Sequence, residues 1–357
     1  MENKAFVIEI PAPRQIYLKC VFLKILKIDT VNEVYSGEIF LEAKWREPLL
    51  DQSNYIDNQD LSSYWNPKIA ISNIFVETKS LVSREVVFAN KSGEAYISEK
   101  RKVRATFQET LELQHFPFDC QDLSVTVATD HSIDEVKMFE CPHNKSTVNT
   151  IDGMDSQEWS LFNHVQVESK IILNDYNIGS KERQIIVFTC RAARQFKYFL
   201  INNFMISSMF YLLTFTSFGI QVTNTFGRLS LCMTVLLTSV TFKVAVSQNL
   251  PKIPYLTYLD KTILGNIIMI MITCIWHALT SLWLFHLSNN EATTALKNIE
   301  SGIIPAILIF YLIALLIFGL IIYFDAGKRR REMKGKDIEF NRALDKILIA
   351  KSSCDIC

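Results

Sequence analysis

The sequence predicts two fold classes in one chain. An all-β sandwich over residues 1–195 precedes an all-α, four-helix transmembrane domain over 196–325, and a basic, partly amphipathic tail follows over 326–357. Three observations carry this. Residues up to about Arg194 mix polar and apolar types, whereas 199–324 are mostly apolar. The first half sets short β-branched and aromatic runs between turn residues roughly every ten positions, the spacing of a sandwich rather than of βαβ units. The second half holds four apolar stretches, each near or above the roughly 20 residues that a bilayer demands.

The strands are expected in order at 16–28, 35–45, 68–75, 81–89, 94–97, 102–113, 123–129, 160–167 and 184–190, the first two divided by the turn-like segment 29–33. The helices are expected at 199–220, 229–248, 262–287 and 303–324, with short links at 221–228, 249–261 and 288–302. An even number of spans puts both chain ends on one side of the membrane. Lys328, Arg329, Arg330 and Arg331 follow the fourth span directly. The positive-inside tendency would draw them, and the β-domain with them, to the cytoplasm, while large domains cross largely regardless of nearby charge; the two arguments leave orientation open. Beyond the basic run, Phe340, Ala343, Leu344 and Ile347 share a helical face, which suits either an interfacial, self-associating helix or one packed on its own protein.

The composition excludes several classes. The 37 basic and 37 acidic side chains cancel, which argues against a nucleic-acid surface. No H-E-x-x-H, Walker loop or G-x-S-x-G is present, so neither an enzyme nor a metal or cofactor is expected. Cys20, Cys120, Cys141 and Cys190 lie in the β half and permit three pairings; Cys232 and Cys274 sit in apolar helices as small packing residues. Cys354 and Cys357 form a C-x-x-C without a second pair to complete a zinc site. Residues 1–19 contain no apolar run of signal-peptide length, so either a leader was removed or the β half is not exported. The sequons at Asn90 and Asn144 are near chance and decide little.

The second helix is the most informative. Ser230, Thr234, Thr241 and Gln248 recur at steps of four and seven, with Leu237 completing the same face of an otherwise Leu, Val, Met and Ala helix. Hydroxyls gain nothing in lipid and much against water, so a bundle enclosing an aqueous pore is the simplest reading. The bland alternative has Ser and Thr bonding their own backbone carbonyls.

Trp65-Asn66-Pro67, Phe116-Pro117-Phe118-Asp119, Arg194 before the first helix and Asn249-Leu250-Pro251 after the second stand in an order and spacing that resemble the pentameric ligand-gated ion channels of the Cys-loop receptor superfamily. The short linker before the fourth helix and the run from Pro251 to Tyr255 are similar to its prokaryotic members. The chain departs from the pattern in places. The two cysteines that name the family would fall at Glu109 and Leu123, and Cys120 lies inside that loop, to pair with Cys141 or stay free. The usual proline of the first span stands as Ile206, and the adjacent cysteines of the ligand-covering loop are missing.

The resemblance implies a homopentamer of identical subunits in a lipid bilayer, at the plasma membrane with the N-terminal domain extracellular, and a small-molecule agonist of unknown identity. It assigns Ser230, Thr234, Leu237, Thr241 and Gln248 to the pore wall, where a leucine ring could close the pore by dewetting. It assigns coupling between the domains to Asp119 and Arg194 with Pro117, the turn 31–33, Lys252 and Pro254, a charge pair that could equally be structural. Its ligand positions fall at Phe40, Asp130 or His131, Tyr176 and Arg183, a poor aromatic cage, where Arg183 could meet a carboxylate or simply be solvated. Where cation-selective relatives carry a carboxylate, this chain has Phe226, Gly227 and Arg228, so the lean is to anions. Lys243 should snorkel or face water between helices, and His277 either senses protons or is bonded inside the bundle. The competing function is a β-sandwich for adhesion or assembly whose helices merely anchor it.

Overall fold

The computed structural model describes residues 12–51, 61–88, 93–142, 144–149, 158–173, 182–248, 250, 252–287 and 290–354. Eleven strands are found among them: β1 (Arg14–Asp29), β2 (Val34–Arg46), β3 (Ile69–Ile71), β4 (Ile74–Phe88), β5 (Ala95–Gln108), β6 (Cys120–Thr129), β7 (Val136–Glu140), β8 (Thr147–Val148), β9 (Trp159–Leu161), β10 (Gln166–Leu173) and β11 (Glu182–Arg194). One sheet runs β4-β5-β2-β1-β7 with β8 also on β1; the other runs β10-β11-β6-β3 with β9 on β11. All pairings are antiparallel except those of β1 with β7 and β8.

Alternation makes the sandwich. Ile16, Leu18, Cys20 and Phe22 of β1 point inward with Leu123, Val125 and Val127 of β6, and all are buried. Tyr35 stacks on Phe107 at 5.0 Å between ring centroids, and its hydroxyl crosses to the opposite sheet to donate to the Ser124 carbonyl at 2.6 Å. That bond spares a buried phenol the cost of an unmade hydrogen bond. The strand expected at 68–75 is divided between β3 and β4, and that at 160–167 between β9 and β10; β7 and β8 went unread because each is short. Asp29 closes the first hairpin, accepting from the backbone of Val31 and Asn32 at 3.1 Å.

Among the described residues, four helices are long and apolar enough to cross a membrane. The first, α1 (Lys197–Gly219), has widened turns over Leu200–Met205, ending just before Ile206, where the resemblance expects proline. Such π turns break the regular ladder without an imino acid. It is followed by α2 (Thr225–Ser247), α3 (Tyr258–Leu287) and α4 (Asn290–Cys354). α2 begins on an Asn224 cap, whose side chain accepts from Gly227 N at 3.0 Å.

α4 does not stop where its apolar run does. Its 65 residues continue as one helix into the tail and lie against the β-domain. Arg329 reaches Asp122 at 3.1 Å, and Arg330 donates to the Arg194 carbonyl. Arg329 and Arg330 of the basic run therefore lie against the sandwich, paired with its acids and a carbonyl, while Arg331 donates to the Tyr323 carbonyl of its own helix; partnering within the fold places these cations. The tail packs on its own protein through Ala326 and Met333, while the side chains of Leu344 and Ile347 lie outside the described residues. The Asn90 sequon and Cys357 also lie outside them, as does the side chain of Cys354. Cys20, Cys120, Cys141, Cys190, Cys232 and Cys274 are free thiols, so Cys120 does not pair with Cys141.

Phe107 is fully buried at the centre of the sandwich. Phe107→Ala is expected to cost about 3–5 kcal/mol, read as a lower unfolding midpoint of the detergent-solubilised protein.

Candidate functional site

The polar stripe of α2 is exposed along its length: Ser230, Thr234, Leu237, Thr241 and Gln248 all face outward from the chain, Leu237 at 69% exposure. The opposite side of α2 is packed. Cys232 and Val235 join Tyr211, Ile270, Cys274 and Tyr311 in the apolar centre of the four helices. The hydroxyls of Thr234 and Thr241 donate to the carbonyls of Ser230 and Leu237 at 2.8 and 2.9 Å. The self-bonding anticipated as the bland reading does occur, yet each oxygen keeps its lone pairs toward the open side. Lys243 is half-buried near the end of α2 that approaches the β-domain.

Arg228 corrects one expectation. It is 2% exposed, facing into the bundle, and its guanidinium holds Glu300 of α4 at 2.5 and 3.0 Å. The Ile220 carbonyl accepts from the same group at 2.7 Å. Arg228 thus brings no charge to the exposed face, and the lean to anions keeps only the missing carboxylate and the helix N-terminus as its ground. His277 is bonded inside the bundle, within 2.8 Å of the Ser217 hydroxyl.

Where the sandwich meets the helices, Arg194 ends β11 and Asp119 precedes β6, both nearly fully buried. Arg194 Nε donates to Asp119 Oδ1 at 2.9 Å, Nη2 to Oδ2 at 3.3 Å, and Gln121 Nε2 to Oδ2 at 2.6 Å. The guanidinium carbon lies 4.1 Å from the Trp159 ring centre and 4.8 Å from that of Phe116. Aromatic faces and a carboxylate together compensate a cation that has left water.

Around the pair, an apolar cluster bridges the domains. Leu113 and Phe116 of the sandwich pack with Leu259 and Ile263 of α3, and with Phe199, Phe242, Leu250 and Ile253. Pro117 is buried beside Phe116, joined to it by a cis peptide bond. Lys252 and Pro254 are exposed; the link reaches the sandwich through their neighbour Tyr255, whose hydroxyl accepts from Leu113 N at 3.1 Å. Val31 at the hairpin tip is 51% exposed.

The loop that lacks its disulfide is closed another way. Glu109, at the position of the first expected cysteine, accepts from Ser124 N at 2.7 Å and from the Ser124 hydroxyl, one residue beyond the second. Burial raises the Glu109 pKa above the ordinary carboxylate range, against the downward pull of those hydrogen bonds.

The ligand positions are only partly assembled in one chain. Arg183 and Asp130 meet at 3.5 Å, so the arginine has a partner rather than being merely solvated. Phe40 lies half-buried on β2, in the other sheet. Tyr176 lies outside the described residues. His131 stacks on Trp65 at 5.4 Å and reaches the Asn66 carbonyl at 3.2 Å, so it serves the packing of that loop. Among the described residues no cluster of His, Cys, Asp or Glu could hold a metal ion.

Sequence reasoning missed Glu300, Trp159, Glu109 and Arg330. For Glu300 the signal was a carboxylate three residues ahead of the fourth apolar run, and for Arg330 a basic run on the side of an acidic sandwich edge. Trp159 gave no local signal.

The family model described as neurotransmitter-gated ion-channel ligand binding domain matches residues 9–196. Gamma-aminobutyric acid receptor subunit beta-4 of Gallus gallus is 21% identical over 269 residues, 72% of this chain and 53% of the relative. The chain thus spans about half the length of the curated relative it matches.

Two buried pairs generate predictions. Arg194→Ala or Asp119→Ala is expected to cost about 3–5 kcal/mol, with the double variant costing less than the sum, read from unfolding midpoints. Arg228→Ala is expected to destabilise similarly. Replacing both partners, Arg228→Met with Glu300→Met, should restore the midpoint to within about 1 kcal/mol.

Proposed function

The chain belongs to the family of neurotransmitter-gated ion channels of the Cys-loop type, and from that membership we propose a specific activity. Identical copies form a pentamer that conducts small inorganic ions through a pore walled by α2, gated by a small molecule bound between neighbouring β-domains. Family members assemble as pentamers in membranes, and the four apolar helices make this a multi-pass membrane protein whose β-domain is extracellular.

The observation that carries the reading is the exposed stripe of α2. Cys232 and Val235 on the other side of that helix are packed in its own bundle. Of the side chains left exposed, which include apolar Met233, Val240 and Val244, the polar stripe Ser230, Thr234, Thr241 and Gln248 with Leu237 is the face suited to water on a common axis. Leu237 then forms an apolar ring between hydroxyl rings. A narrow apolar ring sheds water and stops ions, while hydroxyls on either side hydrate them. An anchor for an adhesion domain has no use for such a stripe.

Opening is driven from the sandwich. Asp119 and Arg194 bind the end of β11 rigidly to the loop carrying Pro117. The cluster around Leu113 and Phe116 then bears on Leu250 and Ile253 beyond α2, with Lys252 and Pro254 in the same link. A ligand seated by Asp130 and Arg183 of one subunit and Phe40 of the next would pull on β11 directly, since Arg183 lies on that strand. The relative is a receptor subunit for gamma-aminobutyric acid by name; an agonist with a carboxylate would have to compete with Asp130 for Arg183.

Leu237→Ser is expected to raise the leak current of the protein in planar bilayers by about tenfold or more, the factor for 1.4 kcal/mol off the closed state. Reversal potentials in a salt gradient then give the ion sign. Thiols introduced by Thr234→Cys and Thr241→Cys should react with membrane-impermeant reagents in at least one state; silence in every state removes α2 from the pore wall.

A further inference from the structure

The pore reading leaves the far end of α4 without a role, although it makes a row of contacts with the β-domain. The helix leaves the apolar run and climbs the sandwich for about 22 Å over residues 326–341, at 1.5 Å per residue. At its base Asp325 accepts from the Tyr258 hydroxyl at 2.5 Å. One turn on, Arg330 donates to the carbonyl of Arg194 itself, and its guanidinium lies 5.2 Å from the Phe196 ring centre. Met333 is buried against Cys120, Phe162 and Ala193. Asp337 Oδ1 accepts from His164 N at 2.9 Å and lies 2.7 Å from His164 Nδ1, and Asn341 meets Asn163 at 3.3 Å. From Arg330 on, these positions follow steps of three and four, one face of a helix.

Apart from Tyr258 on α3 and Cys120 on β6, these contacts fall on the end of β11, on Phe196 just after it, or on the segment 162–164 beside it. His164 is buried, with Nε2 3.1 Å from Arg191 Nη1 of β11. An arginine only donates, so Nε2 accepts, and Nδ1 carries the proton toward Asp337. Asp337 thereby reaches β11 through His164, as Arg330 reaches it through the Arg194 carbonyl.

We propose that residues 326–341 of α4 are a gating strap, tying β11, the strand that runs into the first span, to the fourth span, and that the strap must shift for the pore to open. The inference rests on the channel reading. A continuous helix is stiff along its axis, so displacement of β11 either drags the fourth span through lipid or slides the strap. The strap is the softer element. Arg330 buries an Nε–H with no acceptor among the described residues, so the present arrangement leaves a donor unmade that a shifted one can satisfy. The apolar part of α4 faces outward almost throughout, with 6% of its most apolar window buried. Besides the strap, this span is held chiefly by Tyr311 in the bundle centre and by the Glu300–Arg228 pair at its far end.

Two measurements on the full chain test this. Cys120 lies beneath Met333, and burial pushes its thiol pKa up to about 11, so it should react slowly with maleimide. Asp337→Ala is expected to speed its modification, followed by peptide mass spectrometry, by about fivefold or more, the low end of ordinary coupling between sites. An unchanged rate means the strap does not dock, and overturns the proposal. For gating, Asn163→Cys and Asn341→Cys are combined with Leu237→Ser, with Cys141, Cys354 and Cys357 replaced by serine. A short bifunctional thiosulfonate should lower the leak current by about fivefold or more, and dithiothreitol should restore it, while either cysteine alone shows no effect. Equal current with the bridge in place overturns the strap and leaves the channel standing. No leak from Leu237→Ser in the uncrosslinked protein overturns the channel reading, and the strap with it.

Discussion

A guanidinium buried where two domains meet constrains the rest of this structure. Arg194 has left water, and Asp119, Gln121 and the faces of Trp159 and Phe116 compensate it. Removing either charge strands the other in low dielectric at a cost of several kcal/mol. Separating them would carry a comparable cost, which favours the end of β11 and the loop before β6 moving together as one body. Everything that acts across the junction acts on that body: the apolar cluster from below, the Arg330 contact from the side, and the pairing with β6 from above.

Helix α2 is held at its two ends by different physics. Far from the sandwich, Arg228 and Glu300 bind it to α4 through a charge pair whose partners are both buried, a contact with strict geometry and little tolerance for drift. Near the sandwich, Phe242, Val246 and Leu250 join an apolar cluster, a contact that depends on area and permits sliding. A helix fixed at one end and greased at the other can tilt about its fixed end. The loop beside the junction follows the same economy. Hydrogen bonds from Ser124 to Glu109 close it where a disulfide is expected, each worth about 1.5–3 kcal/mol with a charged acceptor against about 3 kcal/mol for a covalent closure of that length.

Much of this was legible in residue patterns because the patterns are local. Alternation in β1 and β6, four apolar runs of membrane length, and the four-and-seven spacing on α2 each report one face of one element, and sequence carries that directly. Element breaks such as β3 from β4, and the widened turns before Ile206, were not legible, since neighbouring strands and helices decide them.

Sequence by itself determined the class of each half, the exposed stripe Ser230, Thr234, Leu237, Thr241 and Gln248, and the pairing of Asp119 with Arg194, the last through resemblance. Tertiary structure alone decided which charges meet. Arg228 turned inward to Glu300, 72 residues away, and the basic run after the fourth span rose to Asp122 and Arg194 on the sandwich. A side chain's spacing says which face it occupies, but its partner across the fold is set by how whole elements pack, and a buried charge has no stable place until that packing supplies one.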